Sequence, residues 1–207
     1  RNLSGVGDRL GLSYGHSLES KTADWRISYA RPLNAQETMI QVWAEQNETS
    51  VIEDRFDTLD ISSTLQTYGL SLTHPVYRNP QQGLVLGINV ERRHSESYLG
   101  DSPFPLAPGG NDSSQTTIAV VRLTQEWLDR RLDQVIAARS TFSFGIDALG
   151  ATRYELEPDG RFIAWLGQFQ WAQRVGDRGD QLIFKSHVQW ANQPLLSMEK
   201  CALGGMN

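Results

Sequence analysis

Little in this sequence invites a covalent or metallic brace. Cys201 is its one cysteine among 207 residues, so an intrachain disulfide framework is excluded. Long apolar runs are missing too. The longest clear one, Ile118 to Val121, falls far short of the roughly eighteen residues a membrane helix needs. Transmembrane helices are out. Basic residues are scattered, 19 Lys and Arg against 24 Asp and Glu, for a net charge of −5. No stripe of them could neutralise phosphates, so nucleic acid is not an expected partner. The mean hydropathy of −0.41 would suit a soluble protein. It suits a membrane β-barrel equally, because alternating apolar and polar residues average to a low value.

The chemistry of catalysis is also thin. His16, His74, His94 and His187 show no metal-ligand spacing, and neither a paired carboxylate nor a thiol stands ready beside them. Glu53, Asp54, Asp57 and Asp60 crowd one segment without the EF-hand spacing or its glycine, which reads as a solvated loop. Cys201 has no nearby histidine to act as its base. The GVGDRLG stretch lacks a Gly-Lys-Ser/Thr ending and opens a strand rather than a helix, so it is no phosphate loop. No metal, no cofactor and no enzymatic activity is expected.

What the sequence does contain is period two. Leu10, Leu12, Tyr14 and Leu18 alternate with Gly11, Ser13, Gly15 and Ser17. Successive strand side chains point to opposite sides, so this is a strand with one apolar and one small polar face. The pattern returns with Trp25, Ile27 and Tyr29 against Arg26, Ser28 and Ala30, and with Leu84, Leu86, Ile88 and Val90 against Gly87, Asn89, Glu91 and Arg93. It returns again with Ile136, Ala138, Phe142, Phe144 and Ile146 against Arg139, Ser143, Gly145 and Asp147. Ile163, Trp165, Phe169 and Trp171 oppose Gln168 and Gln170, and Leu182, Phe184, Val188 and Trp190 oppose Lys185, His187 and Gln189. Segments 38–46, 65–74 and 116–127 are strand-like with a less definite phase. TQEWLDRRLDQVIAAR, the one helical candidate, reads as two strand ends around a polar turn at Asp129 to Arg131.

The connections alternate. Short turns at RPLNAQ, HPVYRNPQQ, WLDRRLD and RVGDRGD are interleaved with looser loops at LESKTAD, NETSVIEDRFDTLD, SESYLGDSPFPLAPGGNDSS and ATRYELEPDG. That is the layout of outer-membrane barrels, with periplasmic turns and external loops. Trp25, Tyr68, Trp171 and Trp190 suit aromatic girdles at the water–lipid boundaries. The expected fold is therefore all-β: an antiparallel, up-and-down transmembrane β-barrel. About nine strands are an odd number, so residues 1–207 are expected to be one part of a larger barrel. The bland alternative is a soluble β-sandwich binding module.

The last thirty residues narrow the expectation. HVQWANQPLLSMEKCALGGMN resembles the signature of the two-partner secretion transporters, the TpsB or hemolysin secretion/activation family. Its positions here are Gln189, Ala191, Pro194, Leu195, Leu196, Glu199, Leu203, Gly204 and Gly205. NLSGVGDRLGLSYGHS resembles the family's Asn-Pro-Leu-Gly-x-Gly-Asp turn and following strand, departing from it at Ser4. GLSLTHPVYRNPQQGLVLGINVERR resembles its mid-barrel hairpin.

The resemblance implies a barrel of roughly sixteen strands in a Gram-negative outer membrane. It also implies a loop folding inward after Gly205 and POTRA domains that lie outside this chain. The implied function is export of an unfolded hemolysin- or adhesin-type exoprotein without ATP, by a monomeric barrel bounded by lipid. An insertase of the same superfamily and a plain porin are the other readings in this class. A conduit needs hydrated walls without a deep binding well. Arg26, Glu91, Arg93, Arg139, Asp147, Lys185 and His187 are the residues expected to line it.

Overall fold

The computed structural model describes residues 3–17, 22–50, 61–100, 102–104, 114–152, 160–176 and 179–200. They form β1 (Arg9–Ser17), β2 (Thr22–Pro32), β3 (Met39–Ser50), β4 (Ile61–Arg78), β5 (Gln82–Leu99) and the two-residue β6 (Ser102–Pro103). β7 (Gln115–Arg130), β8 (Gln134–Ile146), β9 (Ile163–Val175) and β10 (Asp180–Ala191) follow, and a short 3-10 turn, Ser197–Glu199, comes last. Every pairing is antiparallel and follows chain order, β6 merely flanking β5. The result is one open up-and-down sheet with β1 and β10 at its edges. No helix among the described residues is long and apolar enough to cross a membrane, which says nothing of strands.

The register explains why period two dominates the sequence. Ile40, Leu72, Ile88, Leu123, Phe142, Trp165 and Trp190 are mutual partners across seven strands, forming one row at right angles to the chain. Val42, Leu70, Val90, Val121, Phe144 and Ile163 form the next row. Among the described residues no second sheet packs against these side chains. Leu12 is 70% exposed and Val188 54%. A soluble sandwich buries such a face at about 10 Å from its partner sheet; here it stands open, as a lipid-facing band would. On the other face the corresponding row reads Gln41, Ser71, Asn89, Arg122, Ser143, Ala164 and Ala191.

Connections fall on two ends. One end carries 33–38, 79–81, 131–133 and 176–179, and the other carries 18–21, 51–60, 100–114 and 147–162. The turn read at Asp129–Arg131 is displaced to 131–133, since β7 runs on to Arg130 and Arg131 N–H donates to Gln134 O at 2.7 Å. Pro75 has no N–H to give a ladder, and the register slips between Pro75 and Tyr77, the bulge expected where proline enters a strand. Glu37 and Arg78 pair across two neighbouring turns and tie this end of the sheet together.

β4 and β5 each run 18 residues and β7 runs 16, beyond the 9–11 or so that cross a bilayer at a tilt. Above Tyr68 and Val90 the apolar rows give way to Gln66 and Thr64 on β4, His94 and Glu96 on β5, and Thr117 on β7. His94 shares hydrogen bonds with Thr117 Oγ1 at 2.8 Å and Glu96 Oε1 at 3.0 Å. The face that carries the apolar rows thus turns polar at the long-loop end. Tyr68 sits at the border between the two regimes, with Ala44 and Arg92 as its strand partners.

Candidate functional site

The polar face is built from small and charged residues that settle one another's charge locally. Arg26 on β2 is the direct partner of Glu45 on β3, and their side chains meet at 2.7 Å. Arg139 on β8 is likewise opposite Glu126 on β7 and paired with it. Trp43 is an aromatic on this face. Its indole lies flat over Gly69, where any Cβ would overlap the ring, and the Arg26 guanidinium stands 5.9 Å above its centroid. Lys185 and His187 on β10 face Gln170 and Gln168 on β9, and these four with Arg139 line one shallow cavity. Asp147 stands just past the end of β8 and is exposed, so it belongs to the loop end rather than to the wall.

The chain that leaves β10 does not run outward. Asn192 exchanges two hydrogen bonds with the start of β9: its N–H donates to Ile163 O at 3.0 Å and its Oδ1 accepts Ile163 N–H at 2.8 Å. After this corner, Pro194 is exposed while Leu195 and Leu196 are buried on the polar face. There they meet Ile118 and Val120 of β7, both 0% exposed, with Phe162 and Ala164 beside them and Ala191 and Met198 at the margin. This is the hydrophobic core of the described residues. It lies on the face that is otherwise polar.

Beyond the leucines, Glu199 is held by two arginines. Arg122 Nη2 reaches both of its carboxylate oxygens at 2.7 Å, and Arg93 Nη1 reaches Oε1 at 3.1 Å. Arg93 Nη1 also donates to Met198 O at 2.8 Å, and Gln189 Nε2 donates to Glu199 O at 2.9 Å. Glu91 closes the set, pairing with Arg122 and, at 3.1 Å, with Arg93. Two carboxylates thus face two guanidiniums. The Glu199 and Arg122 side chains are only 5% and 12% exposed, so the ions satisfy each other rather than water.

Of the residues singled out in the sequence, Gln189, Ala191, Leu195, Leu196 and Glu199 come together at this anchor with Glu91 and Arg93. Arg26 and Arg139 lie elsewhere on the same face, as do Lys185 and His187. Leu203, Gly204 and Gly205, like Cys201 and the Glu53–Asp60 acidic run, fall outside the described residues. Arg122 was not anticipated. Among the described residues no group of three or more His, Cys, Asp and Glu side chains gathers as a metal site would require.

The model of the haemolysin secretion/activation proteins ShlB/FhaC/HecB matches residues 1–207. The chain belongs to that family. This member of the family shares its fold with two solved structures. CdiB from Escherichia coli superposes with a TM-score of 0.81 at 20% identity, covering 100% of this chain and 38% of that one. CdiB from Acinetobacter baumannii superposes with a TM-score of 0.65 at 13% identity, covering 95% of this chain and 34% of that one. The chain thus spans well under half the length of either. No curated protein sequence matches it. The haemolysin secretion/activation family is one of two-partner secretion proteins of the Gram-negative outer membrane. The open sheet resembles a section of such a β-barrel, with its apolar rows exposed on one face.

Proposed function

We propose that residues 1–207 form part of the wall of a pore through which an unfolded hemolysin- or adhesin-type exoprotein reaches the cell surface without ATP. In this reading the polar face is the lumen, the barrel is a monomer surrounded by lipid, and client-receiving POTRA domains belong to the same transporter outside this stretch. One observation carries it: a segment of the family motif turns back from β10 and docks on the polar face, across the path a client would take. The wall chemistry agrees with conduction. Arg26 with Glu45 and Arg139 with Glu126 are neutralised by their strand neighbours, so an extended chain passing them meets hydration without a strong charge to stop it. Lys185, His187 and the glutamines opposite them give the same face exchangeable hydrogen bonds. Work of this kind is passage rather than catalysis.

The test is reconstitution of export. The full-length transporter and the exoprotein encoded beside it, placed together in a Gram-negative host lacking both, should deliver the exoprotein to the medium. A client retained in the periplasm while the barrel is folded in the outer membrane would overturn the reading.

A further inference from the structure

The segment after β10 is fastened twice, by an apolar contact and by ions, and the two fastenings respond to different changes. Leu195 and Leu196 share one buried cluster with Ile118, Val120, Phe162 and Ala164. That contact is non-directional and tolerates sliding. The ionic contact does not. Arg122 Nη2 donates to both carboxylate oxygens of Glu199 at 2.7 Å while its Nη1 holds Glu91, and charge-assisted bonds of this kind are short and directional. Arg93 then locks the backbone as well as the carboxylate, through Met198 O and Glu199 Oε1. Glu91 sits between the two guanidiniums and keeps them turned toward the segment. Since the set is two plus and two minus, removing the Glu199 charge leaves two largely buried arginines sharing one carboxylate. That is a costly arrangement, because an uncompensated ion remains in a poorly hydrated place.

We propose that Arg93 and Arg122 are positioning residues which, through Glu199, clasp the chain after β10 to the pore wall, and that the passage along this wall is narrowed only while the clasp is closed. The second half rests on the export reading above; the first half rests on geometry alone. Glu91 is the counter-ion that still pairs with both arginines when the segment is away. The arrangement resembles a catch more than a rivet. Its wall side, Arg93, Arg122 and Glu91, keeps internal partners when Glu199 leaves and so stays ready to receive it again.

The experiment uses the full-length transporter carrying Cys201→Ser, so that an introduced cysteine can be labelled alone. Ala164 is 4% exposed beneath the segment, and Ala164→Cys supplies a small reporter there. Labelling by a water-soluble maleimide in proteoliposomes reports docking, and single-channel conductance in planar bilayers reports the passage. In the parent the thiol should label slowly and the conductance should stay small. Glu199→Gln should raise the labelling rate at least tenfold and increase the open fraction. Glu199→Asp, which keeps the charge, should restore most of both, and a merely structural loss of packing would not distinguish these two variants. Unchanged labelling in Glu199→Gln overturns the clasp. Faster labelling with unchanged conductance overturns the narrowing while leaving the clasp. Failure of the parent to export its client strikes the function proposal and leaves the labelling result to decide the clasp.

Discussion

At the scale of single residues, the face a side chain occupies decides what it may become. Val188 lies opposite Gly167 within the exposed apolar band, and the Trp165 indole leans over that glycine. Val188→Arg should lower barrel stability by about 2–4 kcal/mol if the site is at mid-bilayer. His187→Arg, one residue away on the polar face, should cost less than about 0.5 kcal/mol. Refolding midpoints of the full-length transporter in lipid vesicles would measure both, and equal losses would refute the assigned faces. Asp8 makes a different prediction. The Ser4 N–H donates to its carboxylate at 2.9 Å, and the Tyr29 hydroxyl donates to the other oxygen at 3.1 Å. The Ser4 bond first, aided by Tyr29, holds its pKa below the ordinary carboxylate value. A depressed folded-state pKa stabilises the fold above the unfolded value and is lost as pH falls through the folded one. Melting of the parent and of Asp8→Asn should therefore differ by a constant amount near neutrality and converge below about pH 4. Gly5 and Gly7, at φ of +80° and +83°, supply the left-handed turns that bring Ser4 onto Asp8.

At the scale of the strand, alternation made β1, β2, β5, β8, β9 and β10 readable, since each meets apolar surroundings on one side and water or polar neighbours on the other. β7 was not, and its register shows the cause. In Ile118-Ala119-Val120-Val121 the even residues belong to the cluster with Leu195, Leu196 and Phe162, while the odd ones lie on the face of the apolar rows. Both faces are dry there, so period two vanishes over the very stretch that carries the docking patch. Arg122, next along the same face, was hidden with it. A four-residue apolar run ending at an arginine, inside an otherwise alternating chain, was the signal available. The docked segment itself was legible only as a motif, because no local periodicity says where Leu195 will land. Element geometry also makes the Trp43–Gly69 contact testable. Gly69→Val would drive a branched side chain into the indole, and an overpacked pair of this kind should cost about 1–3 kcal/mol. Trp43→Ala in the same background should recover part of that loss in the same unfolding measurement.

At the scale of the whole molecule, strand length sets how far the sheet stands out of the membrane. β4, β5 and β7 continue past Tyr68, where the face that carries the apolar rows turns polar, so they should form a wall rising from the outer surface. Glu96→Cys should accept a membrane-impermeant label on intact cells, whereas Ile88→Cys, in the lipid-facing row, should remain unlabelled. Labelling at Ile88 would place the membrane elsewhere along the strands. Length on this side also leaves room for the chain after β10 to fold back over the polar face below the rim. The apolar bed under Leu195 and Leu196 has a consequence for the energetics of traffic. A leucine withdrawn from such a bed into water loses about 1.5–3 kcal/mol, and Ile118 and Val120 are wetted in the same movement. Displacement therefore costs free energy that nothing outside the membrane need restore. In the proposed pore a passing chain would prop the doorway ajar, and once its tail had cleared, water itself would drive the leaf home.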